Sequence, residues 1–592
     1  MPELDPNSYT GKPQSVRQAL ELLRSQLEFE RSSFLPHWRD LGDFILPRRP
    51  RFITTDTNRG DRRNQKIVDT TATLSARTLR SGMMSGITSP ARPWFRLTTN
   101  DQRLSDSEAI KNWLWQVTKR MNDVFLKSNL YNALPILYGD IGVFGTHVLW
   151  VEEDFERVMQ FTPLPIGSYS ISNNDKLKVD TITRQFRMTV RQLVEKFGKR
   201  TGPGPNDYDW KNFSTSVKSF WITDQKEIWM DITHAVRPNP LFDPKKPQSV
   251  NKRYSSVYYE TGSNSVGISS FDTNEDTLLS VSGYNQFPAL AVRWETTGED
   301  VYATSCPGMD SLSDIKQLQT QTRRMAQAIE KMVNPPLQGP TQLKQQGASQ
   351  LPGGMNWLDV RDGNSGLRPV HEVNPRIQEL EGMNQQIRDR IRRGFFEDLF
   401  LMLAQDDRQQ PATAREIDER HEEKLLALGP VLEQLNQDLL EPLIDLAFEF
   451  GERQGIWPEA PPELAGHPLK VEFISIMAQA QKSIGIGGME RLIQTVERLA
   501  PVFPAIMEKI DSDEFMDTYG DFLSLPPNII RSEDEVAQVR AQSAKAQQAA
   551  QMQETIPAMA GAAKDLAQSP TDGQNALTDL IKQAQAGQIV NQ

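Results

Sequence analysis

Two long segments with helical periodicity, residues 311–333 and 376–403, flank a stretch dense in Pro, Gly and Gln. Together they set the terms for what this chain can fold into. The second segment carries Leu380, Met383, Ile387, Ile391, Phe395 and Leu399 along one stripe. At the helical rise of 1.5 Å per residue the two helices would be about 35 and 42 Å long. Within residues 334–375 only MNWLDV reads as a strand. Matched helices around a small irregular lobe predict a protruding two-helix stalk with a tip. Such a stalk leaves its stripe partly wet when alone, so Leu380, Ile387, Ile391, Phe395 and Leu399 are expected to pack on neighbouring copies. The opposite face of that helix, about 200° round from Ile387 and Ile391, carries Gln385, Asp389, Arg393 and Glu397. It mixes acids, a base and an amide.

The rest of the chain reads as α+β, mostly helical. Val16, Leu20, Leu23 and Leu27, then Phe34, Trp38, Leu41 and Ile45, recur at helical spacing, with Pro36 expected to split the segment. Residues 47–66 hold seven basic residues against two acidic ones without periodicity, and read as an exposed basic loop. Helices are expected at 68–84 and 105–130. From Thr146 to Trp294 the pattern turns to short strands, interrupted by one helix near 189–197. After residue 403 comes a polar break, AQDDRQQPA. Its residues Gln405, Asp406, Asp407, Arg408, Gln409 and Gln410 form an expected loop. Thr413 and Glu416 match a capping box that restarts the helix. Gly429-Pro430 is expected to stop it, and a further helix over 431–450 to end at Gly451. From Glu533 onward the chain is Ala/Gln-rich, so it is helical only against copies of itself, or disordered.

A length of 592 residues implies about three to four folding units. The net charge of -11 argues against a tight nonspecific DNA gripper, though not against a surface that DNA passes without sticking. No apolar run reaches the ~18 residues of a membrane span, and the N-terminus lacks a signal-peptide pattern. A lone cysteine, Cys306, excludes an internal disulfide framework. No G-x-x-x-x-G-K-[ST] loop is present, and Gly485–Gly488 lacks the Lys-Ser/Thr that such a loop needs. The six histidines have no metal-ligand spacing. Asp511, Asp513, Glu514 and Asp517 fail the calcium-loop pattern and read as a solvated helix start. No catalytic site, metal site or cofactor is expected.

Three stretches carry a family resemblance. Residues 64–97, NQKIVDTTATLSARTLRSGMMSGITSPARPWFRL, resemble the N-terminal signature of portal proteins, or head-to-tail connectors, of short-tailed bacteriophages. Residues 298–318, GEDVYATSCPGMDSLSDIKQL, are similar to a second element of that family, with Ala303 where glycine is usual. Residues 412–444, ATAREIDERHEEKLLALGPVLEQLNQDLLEPLI, are similar to a third. All three occur in the family's order. The resemblance implies a ring of identical subunits, usually twelve, around a channel for double-stranded DNA. It assigns 1–310 to N-terminal helices and an α+β wing, 311–333 and 376–403 to the stem, and 334–375 to the clip. Residues 404–412 become a tunnel loop, 413–453 wing and crown helices, 454–532 the crown and 533–592 the tail. It further implies that Gln385, Asp389, Arg393 and Glu397 face the channel. Implied partners are a terminase motor, major capsid and scaffolding proteins, and tail adaptors. The place is the portal vertex of the virion, reached from the host cytoplasm during assembly. Rival readings are another virion ring or adaptor, or an enzyme of DNA packaging.

Overall fold

The computed structural model describes residues 16–54, 60–99, 101, 107–261, 278–339, 368–369, 376–404, 428–464 and 469–474, with isolated positions between 492 and 546. The chain divides into two units, Met1–Asn100 with Trp113–Gly485, and Asp101–Asn112 with Ile486–Gln592. The architecture described below is that of the first.

Helix α1 (Val16–Ser32) and α2 (Leu35–Phe44) form the N-terminal pair, with Pro36 in the first turn of α2, where its missing N–H costs nothing. The basic segment that follows is only partly free. Arg51 donates its backbone N–H to Ile166 O and a guanidinium N–H to Thr54 O, while Lys66 pairs with Asp43 at 2.7 Å. Helix α3 (Thr71–Ile87) comes next, then strand β1 (Phe95–Thr99) and α4 (Glu108–Lys127). A further helix, α5 (Leu130–Phe144), was not expected from the pattern. It is apolar on nearly every side and carries Pro135, so it shows no amphipathic period.

The α+β block is built on two antiparallel sheets. One has three strands in the order β3 (Val158–Leu164), β2 (Thr146–Asp154), β9 (Ala289–Arg293). The other has five, β4 (Tyr169–Asn173), β5 (Val179–Thr189), β6 (Trp229–Pro238), β7 (Tyr254–Glu260) and β8 (Ser280–Tyr284). Helix α6 (Val190–Phe197) starts with a complete capping box between Thr189 and Gln192. It packs with α7 (Thr215–Ile222) over a core of Leu193, Val194, Val217, Trp221 and Ile232.

The two sheets meet around a satisfied polar group. His234 is buried; its Nδ1 accepts from Arg184 Nε at 3.1 Å and its Nε2 lies 2.9 Å from Ser256 Oγ. It stacks on Tyr258 with ring centroids 3.6 Å apart, while Trp150 meets it edge-on. Burial, then the charge of Arg184, drives its pKa well below the usual imidazole range. It is a neutral core histidine.

Helices α8 (Pro307–Val333), α9 (Ile377–Gly394) and α10 (Glu397–Ala404) cover the segments expected to form the stem, and α11 (Gly429–Leu435) follows. Gly429-Pro430 opens this helix, while the helix expected to stop there lies outside the described residues. Proline occupies the first turn, where no N–H is required. The expected single helix over 431–450 is interrupted by a π-turn, Asn436–Leu440, before α12 (Glu441–Arg453). Pro442 explains it: a proline ring clashes with the carbonyl four residues back, and one wider turn relieves the clash. The helix runs past Gly451 to Arg453. Strand β10 (Leu469–Phe473) then pairs with β1.

Candidate functional site

The stem begins where α8 leaves the buried base of the fold. Cys306 precedes it, Pro307 opens its first turn and Asp310 stands at its positive end. Cys306 is fully buried and donates its thiol to Val143 O, and burial pushes the thiol pKa up to about 12. Helix α8 starts four residues earlier than the pattern suggested and spans 27 residues, ~40 Å at the helical rise. Ile315 and Leu318 in its first half are buried, whereas Ile329, Met332 and Val333 near its end are exposed.

The second stem segment is not one helix. Helix α9 ends at Gly394, Phe396 has φ 55°, and α10 restarts at Glu397. A left-handed residue between two helical stretches is a break, and φ above zero is costly for an aromatic side chain. Gly394 marks a close approach of α9 to α8: a Cβ placed there would lie 2.5 Å from Ser311 Oγ. The pair is pinned further by Arg390, which reaches both carboxylate oxygens of Asp314 at 2.9 and 3.2 Å.

Ile387, Ile391, Phe395 and Leu399 are buried within a single chain, at 3%, 0%, 0% and 3% exposure, and Leu380 is half-buried. These four are covered already by the chain's own packing, so the premise that they lie wet in a lone subunit is corrected. Exposed apolar side chains lie toward and just beyond the end of α8 and on α9, at Ile329, Met332, Val333, Leu337 and Met383.

On the opposite face Gln385 and Arg393 are exposed, and Gln385 Nε2 donates to Asp389 Oδ1 at 3.1 Å. Glu397 does not continue this line, because the break at Phe396 rotates it away. Its Oε2 accepts from Ser75 Oγ of α3 at 2.7 Å. Arg388 turns inward: it pairs with Asp69 at 2.9 Å and with Glu381 at 2.6 Å.

Asp69 and Gln319 are the centre of this region, and sequence reasoning missed both. Gln319, 4% exposed on α8, accepts from the backbone N–H groups of Val68 and Asp69 at 2.7 and 2.8 Å, and donates back to Asp69 O at 2.8 Å. Burial alone would raise the Asp69 carboxyl, but hydrogen bonds from Thr71 and the Arg388 guanidinium win and hold it below the usual range. One short segment thus ties both stem helices to α3. The run Asp-Thr-Thr before a helix was a readable capping signal for Asp69; nothing in the sequence pointed to Gln319.

Gln405–Gln410 and the pair Thr413 and Glu416 lie outside the described residues, as do most of 334–375 and 533–592. The acids at 511–517 lie outside them too. Among the described residues no group of His, Cys, Asp and Glu could hold a metal ion, and no helix is long and apolar enough to cross a membrane. The family model described as "Bacteriophage head to tail connecting protein" matches residues 17–530. The chain is 45% identical to a "Portal protein" of Salmonella phage epsilon15 over 565 residues, 95% of this chain and 98% of the relative. It is 40% identical to a "Probable portal protein" of Bordetella phage BPP-1 over 569 residues, 96% and 98% of the two chains.

Proposed function

Because this chain belongs to the bacteriophage head to tail connecting protein family, we propose that it is the portal subunit of a phage head. Identical copies, twelve in number, close into a ring at one capsid vertex and link head to tail. Double-stranded DNA passes through the channel during packaging and ejection. The observation that carries this reading is the near full-length likeness to portal proteins of two phages. The chain acts as a conduit and not as an enzyme; a terminase motor supplies the work. Major capsid and scaffolding proteins surround it during assembly in the host cytoplasm, and tail adaptors meet it later in the virion.

The stem geometry supports the same reading. Ile329, Met332, Val333, Leu337 and Met383 form an apolar end that one chain does not cover. Burying each such side chain favours association by roughly 1.5–3 kcal/mol. Copies packed around an axis would cover it. Gln385, Asp389 and Arg393 then face the channel, a surface without the clustered bases that would hold phosphates. Residues 405–410 form the tunnel loop at its narrowest point, with the clip at 334–375 and the crown beyond 454. The test is assembly of heads with and without this chain. DNA-filled heads should form only when it is present; DNA filling without it would overturn the reading.

A further inference from the structure

The α3 side of the fold carries a basic cluster that the described residues neutralise only in part. Arg77 and Arg80 are one helical turn apart on α3, and Arg49 from the basic segment joins them. The stem of Arg80 lies over Gly139 of α5, with Cδ 3.3 Å from where a Cβ would stand. Among the described residues the carboxylate beside them is Asp140, itself 2% exposed, 3.6 Å from Arg49 and shared with His147 at 3.1 Å. Among the described residues Arg77 and Arg80 make no hydrogen bond or ion pair. Burial, then the charges of Arg49 and Arg77, pushes the Arg80 pKa down, and Asp140 offsets this only in part.

An acidic counterpart lies on α11 and α12. Glu433, Glu441 and Asp445 are exposed, and no base comes within ion-pair distance of them among the described residues. The Glu441 pKa is raised by burial and then by Asp445. Among the described residues Lys178 is the cation in electrostatic reach of Glu441 and Asp445, as Asp140 is the anion near Arg49 and Arg80.

These two clusters lie on opposite sides of the three-stranded sheet. His147 of β2 reaches Asp140 on α5, and its strand partner on β9 is Val292. The next β9 residue, Arg293, must point the other way, and it meets Asp438 of the π-turn at 3.1 Å. Helix α5 therefore covers one face and the π-turn between α11 and α12 the other, with Arg453 at the end of α12 reaching Glu153 of β2. Helix α3, with Arg77 and Arg80, packs on the α5 side.

A ring is a heterologous assembly, in which each copy offers two different, complementary surfaces to its two neighbours. We infer that Arg49, Arg77 and Arg80 of one copy dock on Glu433, Glu441 and Asp445 of the next. This rests on the ring reading above and adds the surfaces that meet. Charge complementarity on opposite sides of one subunit selects a second copy of this chain over DNA as the occupant. DNA would need no acidic partner surface.

The test mixes two charge-reversed full-length variants, Arg77→Glu with Arg80→Glu, and Glu441→Arg with Asp445→Arg. Each alone sets like charges across the interface and should associate about tenfold more weakly or worse by native mass spectrometry. An equimolar mixture restores both pairings in alternation and should give rings again. Rescue by mixing excludes misfolding as the cause of the loss. If either variant alone forms rings as readily as the parent, the proposed contact is wrong; loss of DNA retention in such rings would assign the arginines to DNA. Absence of rings in the parent chain would instead remove the ring reading itself.

Discussion

Replacing Gln319 by Met keeps the length and most of the volume of the side chain but removes its amide. The structure gives the consequence directly: Val68 N–H and Asp69 N–H lose their acceptor, and Asp69 C=O loses its donor. A neutral hydrogen bond contributes about 1 kcal/mol net, so the three together hold the segment before α3 by about 3 kcal/mol. Partial exposure of Val68 makes this an upper figure. The effect is local, so hydrogen exchange at residues 68–71 is a cleaner assay than global unfolding of a multidomain chain. Three kcal/mol corresponds to about a hundredfold faster opening. Gln319→Glu should lose less, since a carboxylate still accepts the two N–H bonds and lacks only the donor to Asp69 O. Exchange at Val68 and Asp69 unchanged in Gln319→Met would refute the reasoning that this amide, and not the surrounding packing, holds the segment.

Gly82→Ala should destabilise the wing by about 1–3 kcal/mol, seen as a lower melting temperature, because a Cβ there would stand 2.1 Å from the Phe400 ring. Asp69→Asn should weaken the stem base at neutral pH. The Asp69 carboxyl is depressed in the fold, so its contribution is full above the ordinary carboxylate range and fades as pH falls through the lowered value. Stability of parent and variant should converge on acidification; a gap that persists at low pH would contradict this. Cys306, with its thiol at about 12, should resist an aromatic disulfide reagent at pH 8 until the protein is unfolded.

The fold was legible where a single physical signal dominated. Thr189 and Gln192 carry both halves of a capping box, and α6 begins between them. The change to short strands at Thr146 marks the first residue of β2. Legibility failed where two signals coincide. Phe395 and Leu399 keep the stripe spacing of Ile387 and Ile391 across the break at Phe396, so periodicity runs on through a chain that does not. Gly429-Pro430 suits either end of a helix, and only tertiary context decides. Helix α5 is buried on most sides, and a helix without a wet face has no period to read. The site was harder still. The charged face of α9 was found as far as Arg393, but Asp69 with Gln319, and Asp140 with Arg49, join residues 250 and 91 positions apart respectively, since 319 − 69 = 250 and 140 − 49 = 91.

Electron microscopy of the purified full-length protein in negative stain tests the central claim most directly. Closed rings of one diameter, with stain in a central channel, are the predicted result. A field of isolated single copies at micromolar concentration would contradict it.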